Sequence, residues 1–177
     1  YWRPGGPPPS NDPAVRVIQP VHAAYFQLND AALREDLATL DSGTPTDLSE
    51  AQVPIDLPMP DGSFRAFRSL QTPVMPPGLQ ARYPMVRTYT GVSVDDAHVT
   101  VKFDLTPAGF HAMVLGMSEG DVFIDPVAMG NPVFHQSYFK KDLPPMSGRS
   151  APVCTYDEVN DVPHAMAVTA GWIQQMG

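Results

Sequence analysis

The sharpest alternation in the chain is the octet HVTVKFDL. On an extended backbone Val99, Val101, Phe103 and Leu105 fall on one side and His98, Thr100, Lys102 and Asp104 on the other. That two-residue period belongs to a strand with one buried face. Thr106-Pro107-Ala108-Gly109 turns it into FHAMVLG, and Ser118-Glu119-Gly120 turns again into DVFIDP. A further strand is predicted over about Phe134 to Lys140. Upstream, VPIDLPMPDGSFRAFRS reads as a hairpin around Pro60-Asp61-Gly62, a turn signal with a mechanism. Pro54 and Pro58 have no N–H for a ladder, so the first strand of that hairpin is expected at a sheet edge. Val86 to Val94 reads as extended.

The period lengthens only once with conviction. After an extended stretch at Val21 to Leu28, DAALREDLATL places Leu33, Leu37 and Leu40 on one face of a helix. Asn29 caps its start and Gly43 sits just past its end. Pro77 to Tyr83 has room for a turn or one helical turn. The pattern predicts a mainly β domain with a minor α component: an antiparallel sheet or sandwich of short strands, with one helix in the N-terminal half. Phe64, Phe67, Phe103, Phe110 and Phe123 are the aromatic core candidates. Residues 1–16 are expected as a Pro/Gly-rich mobile arm, 17–142 as the β-rich domain, and 143–177 as a looser segment.

Composition sharpens this picture. Proline accounts for 21 of 177 residues, above the usual level of about 5%. Such a content favours short strands and irregular connections over a bundle. The net charge is −8, and without a basic patch the chain is not expected to bind nucleic acid. No apolar run approaches the ~20 residues of a membrane-spanning helix. The first residue is Tyr1 rather than Met, which is read as a start inside a longer precursor whose signal peptide has been removed.

Catalytic signatures are scarce. The five histidines, His22, His98, His111, His135 and His164, are scattered, and no H-E-x-x-H, G-x-S-x-G or C-x-x-C occurs. His111 and His135 could pair as metal ligands, against the plainer reading of hydrogen-bonded strand histidines. Asp95-Asp96 and Asp121/Asp125 could supply calcium oxygens, but they lack the dense alternation of a calcium loop and read as turn caps. Cys154 stands apart as the only cysteine, in the proline-flanked stretch SGRSAPVCTYDEV. It is either a small buried hydrophobe or a reactive or ligating thiol.

From Leu57 a longer order of pieces is present: LPMPDGSFRAF, PPGLQARYPMVRTYTG, DDAHVTVKFDLTPAGFHAMV, VFIDP and SYFKKD. This succession resembles the N-terminal pro-region of secreted bacterial zinc metalloproteases of the reprolysin-like (metzincin) group, over roughly Leu57 to Asp142. Its most specific pieces are Tyr83-Pro84, Thr88-Tyr89-x-Gly91, Gly109-Phe110-His111-Ala112 and Ile124-Asp125-Pro126, which read as determinants of fold. The resemblance implies a prodomain with no catalytic residue of its own, followed by a metallopeptidase domain beyond Gly177. It implies that Cys154, placed after the Tyr138–Asp142 strand, supplies a thiolate to that peptidase's zinc as an inhibitory fourth ligand. Zinc would be held by the peptidase and not by this chain alone. Arg149, Pro152, Val153, Thr155, Tyr156 and Asp157 would be the contacts in the cleft, and residues 143–177 the inhibitory segment and connector. The isolated chain is then expected to be secreted, and a monomer or a Cys154-linked dimer.

Two rival readings use the same residues. One is a secreted β-rich module that binds glycan or protein through aromatics such as Trp2, Trp172 and Tyr156, with Cys154 incidental. The other is a hydrolase built from Cys154, His164 and Asp157, although catalytic partners usually come from separate elements.

Overall fold

The computed structural model describes residues 1–7, 18–38, 54–128 and 131–145. Every element below belongs to the unit Tyr1–Pro144; the second unit, Pro145–Gly177, contributes only Pro145 to the described residues. The domain is mainly β, as the alternating pattern predicts. Among the described residues nine strands form one antiparallel sheet: β1 (Trp2–Gly5), β2 (Ala24–Leu28), β3 (Pro54–Pro58), β4 (Phe64–Gln71), β5 (Arg87–Ser93), β6 (Thr100–Thr106), β7 (Gly109–Leu115), β8 (Val122–Pro126) and β9 (Phe134–Phe139). Among the described residues two helices, α1 (Asp30–Leu37) and α2 (Pro77–Arg82), and a 3-10 turn at Lys140–Asp142 accompany it.

The strand order β1-β2-β9-β8-β7-β6-β5-β4-β3 is an up-and-down meander from β3 to β9, extended past β9 by β2 and β1. The sheet is nearly barrel-shaped. Its two ends, β1 and β3, come into contact, and the Asp56 N–H donates to the Tyr1 hydroxyl across the seam at 3.2 Å. Burial there pushes the Tyr1 phenol up to about 12. Pro54 and Pro58 stand on the last strand, as expected of an edge. They withhold donors that would recruit a foreign strand. Inside the barrel the hydroxyl of Ser137 on β9 donates to the Pro58 carbonyl of β3 at 2.9 Å.

The inner face carries the period-two positions. Val101, Phe103 and Leu105 of β6 meet Phe110, Ala112 and Val114 of β7 and Val122 and Ile124 of β8 in one core. Helix α1 adds Leu33 and Leu37, both buried. Burying each contributes about 1.5–3 kcal/mol, which offsets the poor intrinsic stability of so short a helix. Its start is capped as expected, the Asn29 side chain accepting from the Ala32 N–H at 3.2 Å. Leu40 and Gly43 lie outside the described residues.

Three expectations need correction. The arm expected over residues 1–16 contains a strand: β1 pairs with β2, Trp2 lying opposite Leu28. Trp2 is buried against Phe110, ring centroids 5.3 Å apart, so its apolar ring outweighs the Pro/Gly character around it. Phe64 is not a buried core residue: it is 42% exposed, and its ring covers buried Phe26 edge-on at 5.6 Å. Phe123 faces outward, because its neighbours Val122 and Ile124 occupy the inner positions.

Candidate functional site

On the outer face, β7, β8 and β9 bring three polar side chains together. Asp125 is the hub. One of its carboxylate oxygens pairs with His111 Nδ1 at 2.9 Å, and the other accepts from the Tyr138 hydroxyl at 2.6 Å. The strand register explains the meeting: Pro126 lies opposite His135 and Asp125 opposite Gln136, so Tyr138 and Asp125 share the outer face two positions apart. Asp104 of β6 sits directly opposite His111. The hydrogen bond to Asp125 raises the His111 pKa above its ordinary value, with further help from the negative charge of Asp104 and against the opposing effect of burial. Burial raises Asp104, and burial followed by the bond to Asp125 raises Tyr138.

This cluster borders a shallow groove of about 360 Å³ whose walls include Val74, Thr88, Lys102, His111, Met113 and Phe123. An imidazole oriented by a carboxylate is two-thirds of a nucleophilic constellation. The hydroxyls in the groove walls are those of Thr72, Thr88 and Thr90, and Thr88 Oγ1 donates to the Thr72 carbonyl. The arrangement acts as a clamp across three strands, since Asp125 satisfies both neighbours at once.

His135 lies on the opposite face of the same sheet. It is fully buried, edge-on to Trp2 at 5.3 Å and beside Phe110. Among the described residues neither ring nitrogen has a hydrogen-bond partner, and the same holds for Trp2 Nε1. The Val133 and Phe110 carbonyls lie near the ring without reaching hydrogen-bond geometry. Burial pushes the His135 pKa down to about 4, so the ring is neutral at physiological pH.

His111 and His135 are therefore not brought together as metal ligands: β8 separates their strands and their side chains point to opposite faces. Among the described residues no group of three or more His, Cys, Asp or Glu is arranged to hold a metal. Asp95 and Asp96 serve a turn, the Asp96 carboxylate accepting from the His98 N–H at 2.9 Å. Asp121 faces Lys140 at 3.8 Å. Trp2, offered above as an aromatic for glycan stacking, is 9% exposed and spoken for by the core. Cys154 and its neighbours Arg149, Pro152, Val153, Thr155, Tyr156 and Asp157, with His164 and Trp172, lie outside the described residues.

The pieces that carried the family resemblance occupy defined places. Gly91 passes so close to β4 that a Cβ there would lie 2.5 Å from Ser69 Oγ and 2.9 Å from the Arg68 carbonyl. Gly109 has φ +132°, and a Cβ would lie 2.7 Å from Pro126 Cγ. Tyr89 stacks on Phe103 at 4.8 Å. Tyr83 differs: it is 52% exposed, and its neighbour Pro84 is exposed as well. Comparison of the chain with family models, with curated proteins and with solved structures gives no match.

Proposed function

We propose that this chain is the pro-region of a secreted zinc metallopeptidase precursor and holds that peptidase latent, the Cys154 thiolate serving as the fourth zinc ligand. One observation carries the reading. The separated pieces of the resemblance converge on one another in the fold: His111 of GFHA, Asp125 of IDP and Tyr138 of SYFKKD form one hydrogen-bonded unit. Gly109 of GFHA likewise lies against Pro126 of IDP. Mutual packing of these pieces is what a shared domain type requires of them.

In a peptidase of this class zinc keeps three protein ligands and an open position whose water attacks the peptide carbonyl. The sulfur of Cys154, placed in that position, excludes the attacking water and blocks the cleft. A thiol surrenders its proton readily to such a site. The covalent connection supplies a high effective concentration, so a modest contact suffices until the connector is cut.

The test is inhibition in trans. The chain is titrated against the mature peptidase from the same precursor. Wild type inhibits, whereas Cys154→Ala and Cys154→Ser raise the inhibition constant at least tenfold with an unchanged thermal midpoint. Equal inhibition by wild type and Cys154→Ala removes the thiol from the mechanism; no inhibition by wild type at millimolar concentration, which matches what the connection supplies, removes the latency role altogether.

A further inference from the structure

Resting on the pro-region reading, we infer that the connection between β4 and β5 is the face that docks on the body of the peptidase, separately from the thiol. The connection spans residues 72–86 and contains α2, a helix that buries none of its residues. Val74 is 72% exposed, Leu79 41%, Tyr83 52% and Met85 55%. No other stretch of the described residues gathers so many large apolar side chains in solvent.

The excursion is nevertheless held in place. The Gln80 side-chain amide donates to the carbonyls of Val86 at 2.8 Å and Tyr83 at 3.4 Å. The Val86 N–H donates to the Tyr83 carbonyl, and the Thr72 N–H to the Thr88 carbonyl. A docking surface fixed beforehand loses little conformational entropy on contact. Val74 also lines the outer-face groove, which carries the apolar surface on to Met113 and Phe123. Tyr83-Pro84 is the one specific piece of the resemblance whose side chains are both exposed. Exposed apolar groups so concentrated mark an interaction surface.

Size and charge select the occupant. Four exposed apolar side chains make a smaller contact than the ~1,200–2,000 Å² of a stable free complex. A partner joined to the same chain needs no more, because tethering supplies millimolar effective concentration. The net charge of −8 opposes self-association. The connection runs against that balance: Arg82 within it and Arg87 just after it are exposed, and residues 72–86 hold no carboxylate. The complementary surface on the peptidase is therefore apolar with an acidic rim.

The triple variant Leu79→Ser/Tyr83→Ser/Met85→Ser tests this, with Val21→Ser, exposed elsewhere, as control. Thermal midpoints of all chains should agree, since none of these side chains is buried. Against the mature peptidase the triple variant should inhibit at least tenfold more weakly than wild type. Val21→Ser should match wild type, and combining the triple change with Cys154→Ala should multiply the two losses. If wild type inhibits and the triple variant inhibits equally well, the docking assignment is overturned while the latency reading stands. If wild type does not inhibit even at millimolar concentration, both fall. If sedimentation shows a wild-type dimer that the triple variant abolishes, the occupant is a second copy and the assignment is wrong.

Discussion

His135 makes the barrel sensitive to acid in a way that one substitution isolates. The ring is sealed among Trp2 and Phe110, and its pKa is pushed down to about 4, against about 6.5 in an unfolded chain. The folded state therefore binds a proton less readily than the unfolded one, and stability falls as pH drops below about 6.5. Linkage gives a loss of about 1 kcal/mol at pH 5.5 and about 2–3 kcal/mol at pH 4.5, relative to pH 7.5. His135→Leu keeps a similar volume, removes both unpartnered nitrogens and has nothing to protonate. Because buried polar atoms without partners cost free energy, the variant should equal or exceed wild-type stability at pH 7.5. Urea unfolding of both proteins at the three pH values is the assay. Wild type should lose ground to His135→Leu by about 2–3 kcal/mol between pH 7.5 and 4.5. Parallel curves would refute the reasoning, because other titrating groups are common to both chains and cancel in the comparison.

Two further outcomes follow from the same packing. Gly91→Ala forces a methyl against Ser69 and the Arg68 carbonyl and should destabilise by about 1–3 kcal/mol in denaturant unfolding; an unchanged midpoint would mean that β4 and β5 are not so tightly apposed. In the outer cluster, NMR titration should find the His111 pKa above that of an ordinary histidine, and Asp125→Asn should bring it down. A raised folded pKa adds stability that is present in full below the unfolded value and fades as pH rises through the folded one, so the advantage of wild type over His111→Gln should shrink on the alkaline side.

Much of this fold is legible locally. HVTVKFDL, FHAMVLG and the Pro60-Asp61-Gly62 hairpin form where the two-residue period places them, and Asn29 caps α1 because its side chain satisfies an N–H that the helix leaves open. What local pattern does not encode is strand order. Whether seven consecutive hairpin-linked strands lie flat, split into two sheets or curl until β1 meets β3 depends on twist accumulated over the whole sheet. β1 itself was hidden by Pro4, Gly5 and Gly6, which make a four-residue strand read as an arm; Trp2 was the residue that could have revealed it. The outer cluster was equally hidden, since His111, Asp125 and Tyr138 come from three strands and meet only once the register is known. Outward parity of His111 in FHAMVLG was the available signal, and two strand positions, Asp125 and Tyr138, share that parity. Phe123 shows the reverse error, in which residue type suggested the core and parity placed it outside.

The latency account turns on the donor atoms around the peptidase's zinc before the connector is cut. Zinc K-edge absorption on the uncleaved precursor reads them directly. The account predicts one sulfur at about 2.3 Å that is lost both on activation and in Cys154→Ser. A shell of nitrogen and oxygen alone in the intact precursor, unaltered by Cys154→Ser, would contradict it.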